Sequence, residues 1–313
     1  MTAPLPDPPA GLSTMWAMQP RFEHDLSAFI DRATELGFGA IEINHSMQPD
    51  QIAAIRSHSS VDVTSVHAPA PLEQHSRRGW NRDLNLASTD ENERSIAVQY
   101  SKRSIELAAE VGAGAVVVHL GQIGNAMIAG ETSRRQSYER GEQGGPVWRQ
   151  AGIEATTLRA QLAGPYYVQA RHSLDELAVA ADAAGVTIGL ETRAAYHQFP
   201  LPRECAELIS GYPPDVVGYW HDTGHAELLD RLGFVALDRW FDLLGERIVG
   251  THITDVAGLV DHRAPGNGDA DLAALASRIP AAAVRTFEID QHEPDDDVAA
   301  GLQAMRDAGL VPA

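Results

Sequence analysis

Short apolar runs rich in Val and Ile recur along the chain, each separated from the next by an amphipathic stretch. Runs of this kind bounded by turn residues read as buried strands. They cover residues 13–18, 40–44, 63–67, 115–119, 186–191, 216–222, 248–254 and 284–289. The intervening segments, 25–36, 50–58, 91–111, 174–184, 203–210, 235–244, 271–278 and 295–308, read as helices. In 91–111, for example, Ile96, Tyr100, Ile105, Leu107, Ala108 and Val111 roughly follow one helical stripe, with Glu93, Arg94, Lys102, Arg103 and Glu110 between them. Several helices hand over to a strand through glycine, as in ELGFGAIEI, EVGAGAVVV and DAAGVTIGL, where glycine permits the left-handed residue that ends a helix.

Strands that alternate with helices need crossover connections, so the sheet is expected to be parallel. Eight such units favour closure into a (β/α)8 barrel over an open doubly wound sheet. No glycine-rich dinucleotide fingerprint follows the first run, which argues the same way. The 313 residues, enough for one or two domains, then read as a single barrel with one long insertion after the fourth strand. That insertion, at about 120–170, is polar and glycine-rich (GQIGNAMIAGETSRRQSYERGEQGGPVWRQ) before a helix-like run to Gly164-Pro165. Connections this long act as lids, oligomer contacts or exposed decoration, and the sequence leaves these three open, along with a homo-oligomeric state.

The net charge of −19 disfavours a broad surface for coating nucleic acid or anionic membranes, though it leaves room for a local basic groove. Cys205, the single cysteine, cannot form an internal disulfide, which fits a reducing compartment. The start, MTAPLPDPPAGLSTMW, shows neither the basic nor the apolar region of a secretory signal, and no run approaches the ~18 to 20 apolar residues of a membrane span. A soluble, cytoplasmic protein is expected.

Barrels of this type place their chemistry at the carboxyl ends of the strands. The third run ends in SVHAP with His67, the fourth in VVVHLG with His119, and the fifth in IGLETR with Glu191. The sixth ends in YWHDTGHA with Asp222 and His225, the seventh in GTHITD with His252, and the eighth in RTFEID with Glu288, while His262 lies in the loop DHRAPGNGD. One histidine or carboxylate at a strand end is most often structural. Gathered at one rim, however, ionised carboxylates repel one another and are costly to bury without a cation. Imidazole and carboxylate together suit zinc, manganese or cobalt, and magnesium less well. Glu191, Asp222, His252 and Glu288 are the expected ligands of a divalent metal ion.

The order VHAP, VxxHLG, LETR, DTGHA, THITD, H-x-x-P-G-x-G and FE resembles the xylose-isomerase-like barrel superfamily, over nearly the whole chain except the insertion. That superfamily includes sugar isomerases, ketose 3-epimerases, inosose-metabolising enzymes and the endonuclease IV branch; DTGHA is the most specific match. The epimerase-like members imply one manganese-type ion on Glu191, Asp222, His252 and Glu288, with Glu191 and Glu288 doubling as acid and base through a metal-stabilised enediolate, and His225 contacting substrate oxygens. The endonuclease IV branch implies instead a zinc phosphodiesterase with a three-zinc cluster that adds His67, His119, His225 and His262. One position of that pattern, an aspartate two residues before the loop histidine, is Val260 here, and Asp261 in an extended segment would face the other way. Epimerases usually carry arginine where His262 stands, so His262 fits neither pattern fully. The acidic chain, poor in basic pairs apart from Arg77-Arg78 and Arg134-Arg135, and the missing aspartate favour a small sugar or sugar-like substrate over DNA.

Arg193 is a candidate either for a phosphate or carboxylate of the substrate or for a salt bridge to a ligand carboxylate. Glu42 and His45 are weaker candidates for substrate contact. His221 should face away from Asp222 and be structural, Trp16 and Trp220 fit either a pocket wall or the core, and Tyr166-Tyr167 fit packing. Asp295-Asp296-Asp297 should start the last helix rather than bind metal.

Overall fold

The computed structural model describes residues 8–58 and 61–312; residues 1–7, on which the reading of the amino-terminal stretch partly rests, lie outside them. Eight parallel strands close into a barrel in chain order: Ala10–Ser13, Ala40–Ile43, Asp62–His67, Ala115–Val118, Thr187–Glu191, Val217–Asp222, Ile248–Ile253 and Val284–Phe287. The first strand pairs with both the second and the eighth, so no edge remains. Around it lie α1 (Leu26–Glu35), α2 (Pro49–Ser57), α3 (Glu91–Val111), α4 (Ala129–Glu139), α5 (Pro146–Ala184), α6 (Pro202–Ile209), α7 (Thr223–Arg231), α8 (Asp238–Leu244) and α9 (Asp295–Asp307). None of the described helices is long and apolar enough to cross a membrane.

Local chemistry fixes several helix ends. Asp90 caps α3 by accepting from the amides of Asn92 and Glu93, and Gly112 ends it at φ 75°, a left-handed conformation that costs glycine little. As expected, the triple aspartate opens α9, where Asp295 also pairs with Arg21 and Arg32.

Four expectations need correction. Residues 13–18 are not a strand: the first barrel strand ends at Ser13, and Trp16–Met18 forms a 3-10 turn that buries Trp16 with its indole Nε1 donating to the Glu293 carbonyl, 2.9 Å. Residues 271–278 hold only a 3-10 turn, Leu272–Leu275, started by the Asp271 side chain. Helix α7 went unrecognised because it begins directly at Asp222, with no intervening loop to mark it. The segment 174–184 is the end of the 39-residue α5, which runs through Pro165.

The insertion is therefore helical, with α4 packed on the first half of α5. It acts as a brace. Buried Glu131 of α4 accepts from the amides of Tyr196 (3.0 Å) and His197 (3.3 Å), and Arg135 donates to the Ala194 carbonyl at 2.8 Å. From α5, Arg159 donates to the carbonyls of Tyr196 and Gln198 while holding Glu204 in a two-pronged pair. All of these partners lie in or just beyond the loop that follows the fifth strand.

Inside the barrel, Trp220 of the sixth strand packs with Ala115 and Val117. Two glycines make room for it. A Cβ at Gly189 would sit 2.8 Å from the Trp220 ring, and one at Gly250 would overlap it outright. Trp220 thus belongs to the core, where its ring lies 5.2 Å from that of His252. Gly250→Ala is expected to destabilise the fold by about 1–3 kcal/mol, the usual cost of overpacking. Denaturant unfolding checks this, and a smaller residue at position 220 in the same background should recover part of the loss.

Candidate metal centre

The barrel register sets Asp222 beside His252 on neighbouring strands, and Glu191 and Glu288 reach the same rim from the fifth and eighth. All four are buried. His252 Nδ1 lies 2.8 Å from Glu191 Oε1, 3.1 Å from Glu288 Oε2 and 3.5 Å from Asp222 Oδ2. Asp222 divides its carboxylate between two jobs: Oδ1 accepts the His225 amide at 2.7 Å and so caps α7, while buried Oδ2 finds no hydrogen-bond donor among the described residues. An orphaned acceptor among convergent carboxylate oxygens and an imidazole nitrogen fits a divalent cation.

Further contacts orient this quartet. His252 Nε2 sits 3.1 Å from Glu42 Oε2, which also accepts from the Ser65 hydroxyl at 2.7 Å. A carboxylate behind one ring nitrogen leaves the other free as a ligand atom. Glu42 thus backs His252, an expected ligand residue, rather than standing free for the substrate contact expected of it. Asn44 donates to Glu288 Oε1 at 3.0 Å, and Arg193 donates to Glu191 Oε2 at 3.0 Å. Of the two sequence alternatives for Arg193, the salt bridge is present.

Two more groups flank the quartet. On one side, His67 and His119 face each other Nε2 to Nε2 at 2.8 Å, and both approach Glu191 Oε2. His67 Nδ1 is also 3.4 Å from Glu288 Oε1. On the other side, Asp222, His225 and His262 offer ligand atoms within 4.8 Å of one another. His225 Nδ1 donates to the Thr192 carbonyl at 2.8 Å, which leaves Nε2 as its free nitrogen.

Here the structure corrects the expectation for Asp261. Its carboxylate lies 3.1 Å from His262 Nδ1 and 3.6 Å from His225 Nε2, on the same side as both. His262 has φ 56°, so strand alternation fails at that residue and adjacent side chains need not face opposite ways. The third group does not lack a carboxylate after all. The loop is anchored by Asp255, whose oxygens accept from the amides of Val256, Gly266, Gly268 and Ala270. A Cβ at Gly268 would collide with that carboxylate, which explains a glycine in APGNG.

Electrostatics follow from this crowding. Burial opposes ionisation of Glu191, yet the neighbouring His119 and His67 hold it well below the ordinary carboxylate range; Glu288 is held low in the same way by His252, His262 and His67. Burial likewise opposes protonation of His252, but Glu288 and Glu42 raise it well above the usual value. His67 is carried up to about 9 against its burial by Glu191 and Glu288, whereas burial and the charge on His67 push His45 down to about 3. Burial and the nearby Arg193 push His119 itself well below the usual histidine value, so the positive charge beside the two buried carboxylates sits on His67 and His252, in the space that suits a cation.

His221 points away from the cluster, as expected, its Nδ1 bonded to the Tyr219 hydroxyl at 2.8 Å beside Phe241. Tyr166 and Tyr167 pack against the core. His45 stacks edge-on against His67, with ring centroids 4.8 Å apart.

The family described as "Xylose isomerase-like TIM barrel" matches residues 30–308. Among curated proteins, the uncharacterized protein y4fM of Sinorhizobium fredii is 27% identical over 241 residues, 77% of this chain and 65% of that protein. The chain thus spans just under two thirds of its curated relative. Solved structures with the same fold include an L-ribulose 3-epimerase (TM-score 0.67, 17% identity, 97% of this chain and 94% of the other). The D-psicose 3-epimerase of Clostridium cellulolyticum with D-tagatose follows (0.65, 15%, 96% and 99%). A third is a Thermus thermophilus protein soaked with ZnCl2 (0.58, 18%, 96% and 98%). With most of its length matched, the chain belongs to the xylose isomerase-like TIM barrel family.

Proposed function

We propose that the protein is a divalent-metal-dependent isomerase or epimerase of a sugar or sugar-like polyol or keto acid. The observation that carries this is the buried quartet of Glu191, Asp222, His252 and Glu288, with the unpartnered Asp222 Oδ2 turned toward His252 Nδ1. Two structural neighbours named as sugar 3-epimerases agree with it. The mixed nitrogen and oxygen donors suit manganese, zinc or cobalt better than magnesium. The cytoplasm is the compartment in keeping with a single buried cysteine, Cys205.

When bound, the ion would act as a Lewis acid toward the carbonyl and adjacent hydroxyl oxygens of the substrate, easing loss of the proton on the carbon between them. Glu191 and Glu288 are the acid–base pair. One carboxylate accepts that proton, and the other returns one to the opposite face of the same carbon or to the neighbouring carbon. Both are held ionised, so either begins as an acceptor. Arg193 and Asn44 each engage one oxygen of these glutamates and fix their planes. His225, with Nδ1 committed to Thr192, offers Nε2 to a substrate oxygen, and His262 stands beside it with ring centroids 5.6 Å apart.

A second reading, an endonuclease IV-like zinc phosphodiesterase, draws support from the two flanking groups, now including Asp261. The chain's net charge of −19 weighs against a DNA substrate. Metal analysis of protein purified without chelator separates the two readings. Close to one ion per chain, exchangeable with manganese and lost in Asp222→Ala, is expected; two or three zinc ions would favour the phosphodiesterase.

Glu288→Gln should keep the fold by circular dichroism yet lower solvent-deuterium exchange into a substrate sugar by about 100-fold or more, the usual worth of a general base. Unchanged exchange would contradict the acid–base pair. His262→Ala should weaken substrate binding while leaving metal content unchanged, whereas loss of one zinc per chain would point to the second reading.

A further inference from the structure

Beside the carboxylate–histidine cluster opens a cavity of about 430 Å³, and His119 forms part of both. Its other polar lining includes Arg82, Arg193, Gln122, Asn125 and Gln198. Arg82 comes from the connection after the third strand, within the turn Asn81–Asp83, and its guanidinium has no ion-pair or hydrogen-bond partner among the described residues. Arg193 follows the fifth strand; one of its nitrogens takes Glu191, and no bond to its remaining nitrogens is present among the described residues. The single acidic side chain in the lining is Asp83. A cavity edged by two guanidinium groups and four amide side chains, Asn85 among them, is unusual in a chain of net charge −19.

The wall is held rigidly. Asn85 accepts from the amides of Ala87 and Gln122 and donates to the Gln122 carbonyl at 2.9 Å. Gln122 bridges Gln198, and the insertion fixes the Gln198 and Ala194 carbonyls through Arg159 and Arg135. Of the two guanidinium groups, Arg193 is held by Glu191 and Arg82 stands exposed at the rim, and both present forked donors matched to phosphate or carboxylate oxygens.

We propose that this cavity receives an anionic group of the substrate, phosphate or carboxylate, between Arg82 and Arg193, so that the substrate is a sugar phosphate or sugar acid rather than a neutral sugar. The substrate class rests on the isomerase reading, but the anion site itself does not. Arg82 is the residue to alter, because among the described residues it makes no hydrogen bond or ion pair with Glu191, Glu288 or the other cluster residues.

Binding to the metal-loaded full chain is measured by titration calorimetry with four probes: inorganic phosphate, a ketohexose 6-phosphate, a hexuronate and the neutral ketohexose. Charge-assisted hydrogen bonds set the expected scale at about 10- to 100-fold in affinity. The ketohexose phosphate or the hexuronate should bind at least about tenfold more tightly than the neutral sugar, and whichever gains more identifies the natural anion. Arg82→Gln should remove that gain and weaken inorganic phosphate similarly, with neutral-sugar affinity, metal content and thermal stability unchanged. Arg82→Lys should restore part of it. Equal affinity for charged and neutral sugars, or an advantage that survives Arg82→Gln, would overturn the anion site while leaving the isomerase reading standing. Phosphate binding that depends on Arg82, without binding of any sugar, would uphold the site and overturn the sugar substrate.

Discussion

The structure turns on the cost of burying like charges. Glu191, Asp222 and Glu288 converge at one end of the barrel with Glu42 close behind, and all four are shielded from water. Several carboxylates in so small a space are tolerated only if positive charge lies among them. Protonated His67, His252 and His262 supply that charge, each within 3.7 Å of Glu288. A divalent ion would replace those protons with a more concentrated charge, since ligand histidines must be neutral.

Much of the remaining architecture keeps these groups in place. Parallel register delivers four strand ends to one plane, and Gly189 and Gly250 admit Trp220, on which the His252 ring rests. Asp222 belongs to the cluster and to the first turn of α7 at once, so the site and the local fold share one carboxylate. The insertion is tied to the barrel rather than hanging free of it. Through Glu131, Arg135 and Arg159 it stiffens the loop that carries Arg193, linking a long departure from the regular barrel to the edge of the site.

The barrel was legible because each buried parallel strand is a short apolar run, and its last polar residue marks the rim. That logic located Glu191, Asp222, His252 and Glu288 without any knowledge of pairing, and the structure brings them together. It failed where local geometry departs from the regular element. Asp261 was assigned to the wrong side because alternation assumes extended backbone, and His262 at φ 56° breaks it. Of the insertion's two helices, the run up to Gly164-Pro165 was legible as part of α5, whereas α4 was hidden by its polar, glycine-rich surroundings, because it is held by tertiary hydrogen bonds more than by a strong apolar stripe. Glu42 was marked only as a weak substrate contact at a strand end and Arg82 carried no local signal, since what distinguishes both is the company they keep in three dimensions.

The claim at the centre of this account is that the quartet holds a metal ion. Its most direct test is anomalous diffraction at the manganese edge from crystals grown with manganese. The account predicts a strong peak bonded to Glu191, Asp222, His252 through Nδ1, and Glu288. A chain that crystallises in the same fold with no peak at these residues, their carboxylates still paired only with histidines, would contradict it.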